Sequence, residues 1–89
     1  MDTKVHLSTS VRFRSQEVAM IVFESINPEI EDHKFERSRI SMEIKTDTII
    51  IIITSTDIPA AKANFNAIIR WISVVSEAIH LVPKKIVKN

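Results

Sequence analysis

The densest group of chemically competent side chains in the sequence is a short acidic run that ends in a histidine. It consists of Glu29, Glu31, Asp32 and His33, all of residue types that bind metal ions in proteins. Their spacing matches no metal-binding motif, and a charged loop exposed to solvent is the simpler interpretation. His6 and His80 are far apart in the sequence, and no nucleophile can be assigned to either. We therefore expect neither a metal site nor a catalytic site.

The composition argues against several further kinds of chemistry. The 89 residues contain no cysteine, which excludes a thiol nucleophile, a disulfide and a cysteine-based zinc site. They also contain no glycine, and phosphate-binding loops need glycine because the backbone must approach the phosphate closely. We expect a protein that has no enzymatic activity, needs no cofactor and suits a reducing cytoplasm.

Length and charge limit the protein to one domain of ordinary globular composition. Hydrophobic residues make up 45% and charged residues 26% of the sequence. The net charge is only +1, so the overall charge does not indicate a nucleic-acid or membrane partner. No apolar signal-peptide segment follows residues 1–4, and the isoleucine run at 49–53 is too short to span a bilayer. We assign residues 1–83 to one domain and residues 84–89 to a basic tail.

Alternating hydrophobicity predicts three strands. From Val5 to Phe13, apolar and polar residues alternate, which is typical of a strand with one apolar face. Two further runs, at residues 35–45 and 48–55, are separated by Thr46-Asp47, so we expect them to pair as an antiparallel hairpin.

Apolar residues spaced three and four apart predict two helices. Ser15 is a candidate N-cap for the first, which we expect to end at Asn27-Pro28 because the residue before proline avoids helical angles. The second begins at Asp57 and Pro59 and ends near Val82-Pro83. This order predicts an α+β domain in which a three-stranded antiparallel sheet carries both helices on one face.

The second helix has more apolar surface than a small core requires. One stripe, which includes Phe65, Ile68 and Ile72, is sufficient to cover a sheet. A neighbouring stripe is left for a protein partner, unless it too belongs to the core. We assign to this partner interface the residues Ala60, Asn64, Ala67, Trp71, Val74 and Ala78.

Five consecutive isoleucines give the third strand two apolar faces, and such strands are usually buried on both sides. The helices can cover one side, while the other would favour aggregation if it were left open. We assign Ile49, Ile51 and Ile53 to a dimer interface. The alternative is a central strand that is covered on one face and only partly exposed on the other.

Two segments carry a resemblance to a known family. Ile26-Asn27-Pro28-Glu29 follows the first helix, and Asn66, Arg70 and Trp71 lie in the second. Together with the order of strands and helices, they resemble the CTAG/Pcc family, which includes the Pcc subunit of the KEOPS complex, over most of residues 5–82. Lys62 replaces an arginine usual in the family, and the strand turn lacks the family's frequent glycine. These differences indicate a diverged member or a paralogue.

The resemblance implies a non-catalytic scaffold subunit. KEOPS makes threonylcarbamoyladenosine in tRNA, and its transferase subunit does the chemistry. The Pcc subunit forms a homodimer, packs its helices against a helical pair of the transferase, joins two transferases in this way and helps to hold tRNA. The candidate tRNA contacts, on the outer sheet face in the predicted register, are Arg12, Arg37, Arg39 and Lys45. The alternative is a solvated face.

A stand-alone RNA-binding α+β module is the alternative function. The absence of a Gly-x-x-Gly loop argues against the KH form of such a module.

Overall fold

The computed structural model describes residues 5–32, 35 and 37–81. The elements, in chain order, are β1 (Val5–Arg12), α1 (Gln16–Asp32), β2 (Ser38–Lys45), β3 (Thr48–Ser55) and α2 (Ile58–Leu81). The predicted order and the α+β class are therefore confirmed. The expected helix end at Val82-Pro83 and the basic tail at 84–89 lie outside the described residues.

The sheet has the strand order β1-β3-β2, and both pairs of neighbours are antiparallel. The isoleucine strand β3 is thus the central one. In this register Ile51 lies between Thr9 of β1 and Met42 of β2. Since β1 and β2 both run against β3, they run parallel to each other, and α1 connects them across the sheet.

The core lies between one face of the sheet and the two helices. Ile49, Ile51 and Ile53 project into it and are almost fully buried. The helices close the core with side chains that recur at helical spacing on both of them: Val22, Ile26 and Ile30 of α1, and Ala61, Ile68 and Ile72 of α2. Burial of these apolar side chains provides the main stabilisation of the fold.

The first helix continues beyond the proline at which the sequence predicts its end. Pro28 lies inside α1, and residues 29–32, which were expected to form a loop, are helical. Ile26 and Ile30 are one turn apart and both buried, so burial of Ile30 favours the continued helix. Glu24, whose carbonyl loses its N–H partner to the proline, is exposed, and water can replace the missing bond. His33 and Lys34, the rest of that predicted loop, lie outside the described residues.

Each helix begins where the sequence predicts, with the predicted N-cap Ser15 before α1 and Asp57 as the N-cap of α2. Ser15 Oγ accepts a hydrogen bond from the backbone N–H of Val18 at 3.2 Å, and Asp57 Oδ1 accepts one from Ala60 at 2.7 Å. Each oxygen satisfies an N–H that the first helical turn leaves without a partner.

Strand β2 begins at Ser38, three residues later than predicted, because Arg37 interrupts the extended backbone. Arg37 has a φ of 58°, in the left-handed region. Its carbonyl accepts hydrogen bonds from the N–H of Thr56 at 3.0 Å and from the hydroxyl of Ser55 at 2.9 Å. The corner before β2 is therefore fixed to the end of β3.

Candidate protein interaction site

The surface that best fits a protein partner is a shallow groove between the two helices. It has a volume of about 350 Å³ and is mainly apolar. The residues that line it come equally from both helices: Ser25, Ile26 and Glu29 of α1, and Trp71, Val74 and Val75 of α2. Val74 is 63% exposed, so the fold itself leaves this apolar side chain uncovered.

The predicted partner stripe on α2 is divided by the structure into two parts. Ala60, Ala67 and Trp71 are half-buried, whereas Val74 and Ala78 are exposed. The ring centroid of Trp71 lies 6.3 Å from that of Phe35, and the two planes are inclined at 48°. Trp71 therefore belongs partly to the core and partly to the groove, and Val74 and Ala78 form the part of the stripe open to solvent.

Asn64, the polar member of that stripe, has an internal contact. Its Nδ2 donates to Oγ of Ser38 at 2.7 Å, and Ser38 Oγ donates to Oγ of Ser55 at 3.0 Å. Ser55 is fully buried, so these bonds satisfy a hydroxyl that water cannot reach. The side-chain amide of Asn64 thus holds α2 against the sheet.

Arg37 does not lie on the outer sheet face, where the predicted register places it. Its Nη1 donates to Asp57 Oδ2 at 3.0 Å, next to the N-cap of α2. The side chain lines a second depression of about 340 Å³ at this helix end, together with Asp57, Pro59, Ala60, Ala63 and Asn64. The left-handed backbone of Arg37 accounts for the difference, because it reverses the direction that a strand would give to the side chain.

The assignment of Ile49, Ile51 and Ile53 to a dimer interface is wrong in its choice of face. These side chains are at most 1% exposed within a single chain, so they cannot contact a second one. Ile50 and Ile52 point the other way and are half-buried on the outer face.

The outer sheet face is apolar only at its centre. Ile52 lies between Ser8 and Ser41, and the corresponding row through Ile50 ends in Ser10 and Glu43. The surface open to a second copy is therefore a narrow isoleucine ridge bordered by three serines and by the exposed Glu43.

The predicted tRNA contacts do not form one cluster. Arg12 and Lys45 flank Thr48 at one end of the sheet, and Arg39 pairs with Thr54 at the other. Six residues along β2 separate Arg39 from Lys45, which corresponds to about 20 Å. All three side chains are exposed.

Arg12 also has an acidic neighbour. Its Nε lies 3.2 Å from Oδ2 of Asp47, whose pKa is lowered from 3.8 by the hydroxyl of Thr48 and by this guanidinium.

Residues 5–32, 35 and 37–81 contain no group of three or more histidine, aspartate or glutamate side chains that could hold a metal ion. Within the same ranges, no helix is long and apolar enough to cross a membrane.

Two features of the groove were not predicted from the sequence. One is the contribution of α1, through Ser25, Ile26 and Glu29, and the other is the contact of Trp71 with Phe35. The spacing of four between Ile26 and Ile30 was a signal that α1 continues across the proline. No comparable signal pairs Phe35 with Trp71.

The chain is similar to known proteins in both sequence and fold. A relative from Pyrococcus abyssi (strain GE5 / Orsay), the KEOPS complex subunit Pcc1, is 25% identical over 71 residues, which are 80% of this chain and 87% of the relative. The fold is similar to that of a chain in the crystal structure of the binary complex Gon7-Pcc1. The TM-score is 0.80 at 16% identity, over 92% of this chain and 100% of that chain. The family model described as "Transcription factor Pcc1" matches residues 6–80. Because this match spans most of the sequence, the chain belongs to the Pcc1 family.

Proposed function

We propose that the chain is a non-catalytic subunit of a KEOPS complex, in which it forms a homodimer and joins two transferase subunits. The observation that carries this proposal is the uncovered apolar groove between α1 and α2, in a chain of the Pcc1 family. The relative from Pyrococcus abyssi bears the name of a KEOPS complex subunit.

The groove is suited to a helical partner. Val74 is open to solvent, and the half-buried Trp71 is already held in place by Phe35, so little side-chain freedom is lost on binding. Aromatic side chains that are buried on binding contribute most to the affinity of protein interfaces. We assign this surface to the transferase subunit, whose helices would pack along α1 and α2.

The outer sheet face is the proposed surface for the second copy. Its isoleucine ridge, Ile50 and Ile52, lies on the side of the sheet opposite the helices. Two copies that pack by this face therefore present their helices in opposite directions. Such a dimer can hold two transferases without a clash between them, and this geometry would allow the chain to bridge them.

In this assembly the transferase carries out the chemistry and makes threonylcarbamoyladenosine in tRNA. This chain holds the transferase subunits in position. The exposed Arg39 and Lys45 lie toward the two ends of the outer face, beyond the central isoleucines. There they would make weak, salt-sensitive contacts to the tRNA backbone at the border of the dimer.

Calorimetric titration with the transferase subunit of the same organism tests the proposed interface. Val74→Asp places a charge in the apolar groove and should weaken binding by at least about thirtyfold, the effect of losing an interface hot spot. Ser73→Asp is the matched control, because Ser73 is exposed on the adjacent position of α2 and does not line the groove. Equal affinities of the folded Val74→Asp variant and the wild type would contradict the proposal.

A further inference from the structure

The net charge of +1 conceals a separation of charge between the two helices and the rest of the chain. Helix α1 contains no lysine or arginine and five carboxylates, Glu17, Glu24, Glu29, Glu31 and Asp32. On α2, Lys62 and Arg70 outnumber Glu77 by one. The two helices together therefore have a formal charge of −4, and the basic residues of the chain lie mainly elsewhere.

The acidic residues at the end of α1 do not stabilise the helix that carries them. Glu29, Glu31 and Asp32 lie in its last turns, where the helix dipole disfavours negative charge, and the last turn contains no basic residue. All three are exposed, and none forms an ion pair with another described residue. A departure from local preference that no described residue compensates is expected at a functional surface.

These charges are continuous with the groove. Glu29 lines it opposite Trp71 and Val74. Ser25 and Asp32 lie one turn before and one turn after Glu29, so helical spacing places Asp32 on the same side of α1. The groove thus has an apolar floor and an acidic border on α1, while on α2 the exposed Arg70 and Glu77 lie one turn before and one turn after Val74 and carry no net charge together.

We propose that the partner helix which enters this groove has lysine or arginine beside its apolar stripe, on the side that faces α1. The inference rests on the proposed function. It adds that the partner is selected by positive charge on its helix, opposite the acidic border of the groove. Opposite charges across an interface raise the association rate and exclude wrong partners. A second copy would bring two acidic helical layers together, and a nucleic acid would bring phosphates to carboxylates, so both are disfavoured here.

The test measures the affinity of the transferase subunit for two double variants of equal net charge. Glu29→Lys with Asp32→Lys reverses the border of the groove. Glu24→Lys with Glu31→Lys reverses the same number of charges on α1, on the side away from the groove. All these residues are exposed, and lysine suits the end of a helix, so circular dichroism should show both variants folded.

We expect reversal of the groove border to weaken binding by about tenfold at low salt, since each of the two substitutions replaces an attraction across the interface by a repulsion. The matched control should lose less than about threefold, through long-range effects alone. Salt should weaken binding of the wild type more than that of the border variant, because screening removes only an attraction that is present.

Three results would overturn the inference. The first is an equal loss of affinity in both double variants, which would indicate a general charge effect. The second is unchanged affinity of the border variant while Val74→Asp still abolishes binding; the proposed function would then stand without charge selection. The third is loss of the homodimer in the border variant, which would assign the groove to a second copy of the chain.

Discussion

The side chain of Asn64 on α2 donates a hydrogen bond from Nδ2 to Oγ of Ser38, the first residue of β2, over 2.7 Å. The hydroxyl of Ser38 donates in turn to Oγ of Ser55, and the hydroxyl of Ser55 donates to the carbonyl of Arg37. This series of bonds joins the first half of α2 to the ends of two strands. The second half of the helix, around Trp71 and Val74, is left to form the groove.

Asn64→Ala should lower the free energy of unfolding by about 1–2 kcal/mol, because Ser38 loses a donor in a partly buried place. It should leave transferase affinity unchanged, since the amide faces the sheet. Urea denaturation and calorimetry of the same sample measure the two quantities. Asn66→Ala, exposed on the same helix, is the control and should change stability by less than about 0.5 kcal/mol. If Asn64→Ala loses transferase binding at unchanged stability, Asn64 belongs to the partner interface, as the sequence alone predicts.

Neighbouring isoleucines of β3 should respond to substitution in opposite ways. Ile51→Lys should unfold the domain, because an unpaired charge in the core is strongly destabilising. The milder Ile51→Ala should cost about 2–5 kcal/mol. Ile52→Lys, on the outer face, should remain folded and become monomeric. Circular dichroism reports the fold and sedimentation velocity the mass; a folded dimer of the Ile52→Lys variant would refute the proposed dimer surface.

The isoleucine strand shows how far the sequence can predict this structure. The isoleucine run and the turn at Thr46-Asp47 were sufficient to predict a buried strand and to place its ends at Thr48 and Ser55. Its central position in the sheet was only the alternative to the predicted dimer interface. The run and the turn could not decide which isoleucines face inward, because both faces of the strand are apolar. That choice is fixed by pairing with Leu7 and Met42, whose strands have only one apolar face.

Local rules failed at two other places where tertiary contacts prevail. Pro28 was expected to end α1, yet burial of Ile30 one turn later favours the continued helix. Arg37 was expected to continue a strand, whereas its backbone turns into the left-handed region to bond with Ser55 and Thr56. The groove depends on the continuation of α1 beyond Pro28, because Glu29, which lines the groove, follows the proline. The groove could therefore not be predicted as long as α1 was expected to end at Pro28.

Trp71→Ala should affect both stability and binding. The ring packs against Phe35 and the edge of the core, so its removal should cost about 2–3 kcal/mol of stability. Val74→Asp changes an exposed side chain and should affect binding alone. Thermal melting and pull-down of both variants separate the two effects. If Trp71→Ala lowers stability and the folded fraction binds normally, the indole belongs to the core and not to the groove.

Acid should weaken the tip of the β2–β3 hairpin through Asp47. The hydroxyl of Thr48 and the guanidinium of Arg12 lower the pKa of this carboxyl below 3.8 in the folded chain. Because the folded value lies below the unfolded one, the stabilisation is complete above about pH 5 and is lost as the pH falls through the folded value. Asp47→Asn should therefore show a smaller loss of stability than the wild type in urea titrations on the acid side of pH 4. Parallel curves for the two proteins would exclude this contribution.

In the proposed assembly, one dimer of this chain joins two transferases through groove surfaces that face in opposite directions. Light scattering during size-exclusion chromatography measures the mass of the complex formed with excess transferase subunit, and so its stoichiometry. We predict two copies of each protein for the wild type, and one copy of each for Ile52→Lys, with unchanged affinity per site. A wild-type complex with one copy of each protein at saturation, or a dimer that accepts a single transferase, would contradict the bridging role.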